Sequence, residues 1–349
     1  MKNTLSALFL LLFAALLLSS CSSRKSVYYY QMRCPDLYIP DSLEQVLVWN
    51  RAFSNKKGNQ LLLNTLEGLA SGESVGDDRQ AAKGILQGLE ETLIEERKRK
   101  QQKIDTSYGR LQLSGEIPPP LPDSFLRTLA KKGQLLASLD MVDSDQEDPH
   151  TEYARNGSQG RAPRPTATNQ IYLKVCWRLY DLERQEVVDI WRSEKQFSGN
   201  STSSDYDVVG QIISPFKSKK MKSQGYRLGR QYAMRICSTM VQKRRYIYHK
   251  GHKEMKAAYK LVKIGDWDGA AKIWRQQLET NDQKLRGKLL FNLGVYEEQK
   301  GELANAETLA REAYFLNAFQ PAREYYKWLA EEQKRIKNYL RQQELPWPN

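Results

Sequence analysis

Histidine, cysteine and glycine-rich phosphate loops are scarce in this chain of 349 residues, and each shortage removes a class of chemistry. There are three histidines and four cysteines. His249 and His252 form the only close histidine pair, with Glu254 nearby, but the spacing is not the i, i+4 of a helical zinc site and no third ligand follows. Cys21, Cys34, Cys176 and Cys237 make no CxxC element, so neither a zinc knuckle nor a thioredoxin-like redox pair is encoded. No phosphate-binding glycine loop, Gly-x-Gly-x-x-Gly or Gly-x-Ser-x-Gly elbow occurs. Ser214 and Lys217 match Ser-x-x-Lys, but so do Ser22 with Lys25 and Ser54 with Lys57, and the companion elements of penicillin-binding enzymes are missing. These absences predict no catalytic residue, no metal, no cofactor and a protein that is not an enzyme.

Apolar runs are short as well. The mean hydropathy is −0.67, which excludes a polytopic membrane protein. The one apolar stretch, residues 7–18, is shorter than the roughly 20 residues a spanning helix needs and is followed by Ser22, Ser23, Arg24 and Lys25. With Lys2 before it, this reads as a secretory signal over residues 1–20. Leu18-Ser19-Ser20-Cys21 resembles a bacterial lipobox, in which small residues precede a cysteine that is acylated and becomes the first mature residue. Cys21 is the expected lipidation site, and the expected location is the outer membrane of a Gram-negative envelope, lipid-anchored, on its periplasmic side. Cys34, Cys176 and Cys237 then remain, an odd number, and three reduced thiols are expected.

The mature chain divides by pattern. Residues 21–40 have aromatic and turn residues without a clear period and read as a tether, with an edge strand following it within 28–40. Residues 41–245 read as an α/β domain, a mixed sheet with packed helices. Its first strand is the apolar run Val46, Leu47, Val48, Trp49, the pattern of a strand buried on both faces. Ala82, Ile85, Leu86, Leu89, Leu93 and Ile94 recur at helical spacing, which predicts an amphipathic helix over 79–97. Glu90, Glu91, Glu95 and Glu96 fall on its exposed side. A short helix over 125–132 and a strand over 135–142 follow. Residues 143–170, rich in Asp, Ser, Gly and Pro, predict a mobile linker inside the domain. Beyond it Ile171, Leu173, Val175, Trp177 and Leu179 alternate with polar residues, and the chain returns through Val187, Val188, Ile190 and Trp191 as a hairpin. A helix over 225–240 closes the domain.

Acidic residues are absent between Asp207 and Glu254, where twelve basic ones stand; the whole chain carries a net charge of +13. Such a field attracts polyanions and is screened over about 8 Å at physiological salt. Lys217, Lys219, Lys220, Lys222, Lys243, Arg244 and Arg245 are candidate contacts for an anionic ligand. Nucleic acid is not expected in an envelope protein, leaving anionic lipid headgroups, acidic glycans or an acidic protein face. The bland alternative is the solvated face of a helix.

Residues 246–345 are helical in pattern and repeat. Ala258, Gly265, Ala270 and Trp274 are echoed 36 residues later by Gly294, Gly301, Ala306 and Ala310, the small-residue sites of a tetratricopeptide repeat, whose period is about 34. The first-helix tyrosine of that repeat is replaced by Leu261 and Glu297. Trp274, Leu290, Asn292 and Tyr296 are the candidate partner-binding residues, although packing within the chain is an equal use for them. Residues 322–340 are expected to cap the stack.

The lipobox, the strand ending Val48-Trp49-Asn50-Arg51, the hairpin, the run Lys243-Arg244-Arg245-Tyr246 and the terminal repeats together resemble an uncharacterised family of bacterial envelope lipoproteins, which joins a domain of unknown function to tetratricopeptide-like repeats. The resemblance implies location and architecture and defines no site residues. The expected function is that of a membrane-anchored module which holds an envelope protein partner through its repeats; the alternative is binding of anionic envelope polymer or lipid through residues 217–253.

Overall fold

The computed structural model describes residues 23–43, 45–52, 77–95, 100–103, 117–129, 134–146, 150–153, 165–202, 215–317 and 319–347. The leader and Cys21 lie outside them. The chain forms two compact units, one of Arg33–Thr239 with Tyr339–Asn349, the other of Met1–Met32 with Met240–Asn338.

The first unit is a mixed sheet. Its strands are β2 (Gln45–Asn50), β3 (Lys100–Lys103), β4 (Gln134–Gln146), β5 (His150–Tyr153), β6 (Pro165–Asp181) and β7 (Glu186–Thr202), in the order β3-β2-β4-β6-β5 with β7 on β6. β2 runs parallel to β3 and β4, and the pairings of β6 with β4, β5 and β7 are antiparallel. Helices α1 (Asp77–Glu95) and α3 (Pro215–Ile236) cover one face. There Val46, Val48, Leu135, Ala137, Leu139 and Trp177 meet Ile85, Leu89, Leu228 and Tyr232 in one core. On the other face Leu47, Trp49, Leu136 and Tyr180 pack with Leu121 and Leu126, the latter on the short helix α2 (Asp123–Leu129). β2 is thus buried on both faces, as its unbroken apolar run implies.

Helices α1 and α3 touch backbone to backbone. A methyl group added at Gly84 or Gly88 would meet the carbonyl oxygen of Lys222 or Tyr226, and one added at Gly225 or Gly229 that of Ala81 or Ile85. Four glycines spaced by four on two helices create this approach, the small-residue packing that lets helix axes come close. The pattern is present in the sequence, where the predicted core residues masked it.

The second unit is a two-stranded ribbon, β1 (Arg24–Arg33) with β8 (Thr239–Tyr248), and five helices: α4 (Lys253–Lys263), α5 (Trp267–Gln276), α6 (Gln283–Lys300), α7 (Leu303–Asn317) and α8 (Gln320–Gln343). The residues of α8 from Tyr339 onward count with the sheet unit. The chain is therefore an α/β part followed by a helical run. Two helical hairpins, α4–α5 and α6–α7, repeat each other. Gly265 and Gly301, 36 residues apart, both hold the left-handed conformation at the hairpin turns, with φ of 87° and 91°, which favours glycine. Ala258, Ala270, Ala306 and Ala310 are buried, and Gly294 lies against Ala306 and Ala310 of the next helix.

Three expectations are corrected. The helix over 225–240 starts ten residues earlier, at Pro215, and ends at Ile236, after which the chain enters β8. The edge strand expected after the tether is β1, but it starts earlier, at Arg24, and ends at Arg33; its inner residues Val27 and Tyr29 are buried between exposed Tyr28 and Tyr30. Tyrosine on both faces hides that period. The linker over 143–170 holds the end of β4, all of β5 and the start of β6; its remaining residues, 147–149 and 154–164, are outside the described ones.

Candidate functional site

In the helical unit α6 has almost no polar face: from Leu289 to Glu298 every residue is buried. A helix apolar all round is enclosed all round, and here helices pack on one side and the ribbon on another. Two polar side chains of α6 hold the ribbon. Asn292 accepts from the Tyr248 backbone N–H at 2.7 Å and donates to the Tyr248 carbonyl at 2.8 Å, pairing with that residue as a neighbouring strand would. Glu298, at 0% exposure, is the hub of the second contact. Its oxygens accept from Arg245 Nε and Nη2, both at 2.7 Å, from Lys243 Nζ at 3.3 Å and from the Tyr325 hydroxyl at 2.6 Å. Gln31 of β1 donates to its backbone carbonyl at 2.9 Å.

Glu332 adds a second negative charge near Lys243, and Trp328 faces both cations. Its ring centre lies 4.2 Å from the Arg245 guanidinium carbon and 4.7 Å from Lys243 Nζ, within cation–π range. Burial pushes the Lys243 ammonium below its ordinary value against the pull of Glu298. Burial also opposes the charge on Arg245, but the hydrogen bonds and charge of Glu298 outweigh it and raise its pKa. Burial, then the charge of Glu298, keeps the Tyr325 hydroxyl protonated far above pH 10.

These contacts relocate the residues singled out from sequence. Trp274, Leu290 and Asn292 are core residues of the helical unit and present no surface to a partner, because the hairpins and the ribbon close over them. Tyr296 is also buried; its hydroxyl donates to Asp268 at 2.6 Å, and Arg275 and Lys300 lie over its ring at 5.3 Å each. Lys243 and Arg245 point inward to Glu298 and are not free anion contacts, whereas Arg244, between them on the strand, points outward and donates to Ser26 Oγ at 3.1 Å. Lys219 and Lys222 are exposed on α3, Lys220 lies 5.6 Å from the Phe197 ring centre, and Lys217 stands in the first turn with its side chain outside the described residues. The basic stretch is thus divided between α3 in one unit and β8 in the other. The histidine pair has separate duties: His252 caps α4 and His249 Nδ1 is 3.0 Å from the Ser23 carbonyl oxygen. Among the described residues no group of three His, Cys, Asp or Glu could hold a metal ion. Among the described residues no disulfide joins Cys34, Cys176 and Cys237.

The sheet unit has its own buried charge cluster, which the sequence reading missed. Asp140 is the extra residue at a register shift where β4 pairs with β6. It accepts from Ser138 Oγ and Arg178 Nη1, each at 2.6 Å, with Arg51 Nη1 at 3.8 Å. Burial raises the Asp140 pKa against these three partners. Arg51 also donates to the Pro119 carbonyl at 2.8 Å, so the Asn50-Arg51 strand ending ties β2 to the chain that enters α2.

On the outer surface of the helical unit an aromatic patch stands open. Phe315 on α7 is 73% exposed; Tyr314 lies beside it at 5.4 Å and meets Tyr326 of α8 at 5.8 Å with the rings tilted, and Arg311 is over the Tyr326 ring at 5.7 Å. Aromatic rings with an arginine are the composition of protein-interface hot spots.

With this architecture in view, comparison with known families gives a class: families defined by sequence and not by a reaction. The family described as Domain of unknown function (DUF8603) matches residues 43–248, more than half of the chain, and the chain belongs to it. A second family, Domain of unknown function (DUF6340), matches residues 256–343, from the first turn of α4 to the end of α8. The first match ends at the end of β8, although that strand packs with the helices. No curated protein matches the chain significantly. A neuraminyllactose-binding hemagglutinin homolog from Helicobacter pylori is similar at 7% identity over 54% of this chain and 81% of that one, with a TM-score of 0.26, a likeness too faint to carry an argument.

Proposed function

We propose that this protein is a lipid-anchored lipoprotein of the bacterial envelope that acts as a non-enzymatic assembly module, holding a protein partner on its tetratricopeptide-like helical unit. The observation that carries the reading is the Phe315 patch: a large apolar ring left in solvent, the most exposed aromatic residue of the helical unit among the described ones, flanked by Tyr314, Tyr326 and Arg311. The 36-residue recurrence of the hairpins supports the repeat assignment, and the tetrapeptide ending at Cys21 supports the anchor. The partner surface is the outer face of α7 and α8, because the inner face of α6 is filled by the chain's own ribbon.

Crosslinking in intact cells, followed by purification of the full-length protein, tests this. The expected result is a discrete protein adduct that is lost in the double variant Phe315→Ser, Tyr326→Ser at unchanged expression. An adduct pattern indifferent to those substitutions contradicts it.

A further inference from the structure

The ribbon presents a second open surface, on the side away from α6. Alternate residues of β1 and β8 point outward: Arg24, Tyr28 and Tyr30 on one strand, Met240, Arg244 and Tyr246 on the other. Tyr30 is 66% exposed and Tyr28 56%. Contacts across the ribbon show that they share a face. Gln242 donates to the Tyr30 hydroxyl at 3.3 Å, Arg244 to Ser26, and both Arg24 and Arg244 lie over the Tyr246 ring at 5.5 and 5.3 Å. Neither strand contains an acidic residue.

We infer that this tyrosine and arginine face lies on the anionic lipid surface that carries the anchor. Three observations converge on that occupant. The first is reach: only Ser22 and Ser23 separate Cys21 from Arg24, so the strand starts within about 11 Å of the acylated residue even if the chain is fully extended. The second is chemistry, since tyrosine, with an apolar ring and a polar tip, prefers the boundary between acyl chains and water. The third is charge: arginines among the rings, on two strands whose sequences hold no Asp or Glu, complement anionic headgroups, each contributing about a fivefold gain in partition. Acylation and a basic patch are the two signals that together fix a protein on a membrane. The Glu298 hub gives the face its stiffness, because it turns Lys243 and Arg245 inward and leaves Arg244 outward.

This inference rests on the anchor at Cys21, and the test separates the two. The chain from residue 21 with Cys21→Ser, which cannot be acylated, is sedimented with phosphatidylethanolamine–phosphatidylglycerol vesicles and with phosphatidylcholine vesicles. The expected result is partition onto the anionic vesicles alone, weaker by about 30-fold in Arg24→Gln, Arg244→Gln, and lost in Tyr28→Ser, Tyr30→Ser, Tyr246→Ser at unchanged circular dichroism. No partition onto anionic vesicles, or partition equal in the variants, overturns it. Palmitate labelling of the unsubstituted protein in cells reports the anchor independently: label without vesicle partition overturns the docking face and keeps the anchor, while partition without label supports the face and removes the anchor. A protein crosslinked at Tyr30 in cells in place of lipid also overturns the inference.

Discussion

Arg245 grips the Glu298 carboxylate with two hydrogen bonds of 2.7 Å, and strand β8 is locked to helix α6 by a charge pair with the carboxylate fully buried. Residues that look like part of a basic surface in the sequence are therefore structural. Removing one member of a buried pair leaves the other uncompensated, at a cost of about 3 to 5 kcal/mol. Glu298→Ala is expected to lower the stability of the helical unit by that amount, because two cations lose their carboxylate. Urea unfolding followed by circular dichroism measures it; a loss under about 1 kcal/mol would show that the cluster is not a fastening.

Asn292→Ala removes both hydrogen bonds to Tyr248 and leaves a buried N–H and a buried carbonyl without partners, each worth about 1 to 3 kcal/mol. The expected outcome is a loss of about 2 kcal/mol or more and faster hydrogen exchange at the Tyr248 amide, with the amides of β4 and β6 unaffected. Trp274→Ala, by contrast, is a core truncation costing about 3 to 5 kcal/mol, so any loss of partner binding on that change reports unfolding and not a missing contact.

Gly229→Ala drives a methyl group into the Ile85 carbonyl and must part α1 from α3. Overpacking of this kind costs about 1 to 3 kcal/mol. Gly265→Ala meets no atom within 4 Å but is placed at a φ of 87°, and is expected to cost nearer 1 kcal/mol. Thermal unfolding of the two variants separates close approach from backbone conformation; equal effects would contradict the assignment.

High pH is expected to loosen the helical unit through Tyr325. Its pKa when folded is raised well above the ordinary 10.0, mainly by burial. Below pH 10 the hydroxyl is protonated in both states and its contribution is fully present. As pH rises above 10 the unfolded chain gives up its proton and the folded chain does not, so stability falls by about 1.4 kcal/mol per pH unit for this one group. Unfolding midpoints between pH 9 and about 11.5 should drop less steeply in Tyr325→Phe than in the unsubstituted protein. Parallel curves would remove Tyr325 as a contributor.

Strands and helices with a one-sided pattern were legible in the sequence, and contacts between charges were not. The alternation of Ile171 to Leu179, the unbroken run at Val46 and the 36-residue echo of glycines and alanines each follow from local burial, and the elements stand where those patterns place them. The bounds of β1 escaped because tyrosine lines both its faces. Lys243 and Arg245 were read as exposed because sequence gives their type but not the direction of alternate side chains, and Glu298 drew no notice because Glu297, Gln299 and Lys300 around it look like the polar end of a helix. Asp140 lies at a break in strand register, where period-two reasoning fails. The glycines of α1 and α3 carry no hydrophobic signal, although their spacing of four residues was open to view.

The most direct measurement places a photo-crosslinking amino acid at position 315 of the full-length protein in living cells, with a second variant labelled at position 30, and identifies each adduct by mass spectrometry. The account predicts a discrete envelope protein at position 315 and lipid at position 30. No protein adduct from position 315, or the same adduct from both positions, would contradict it.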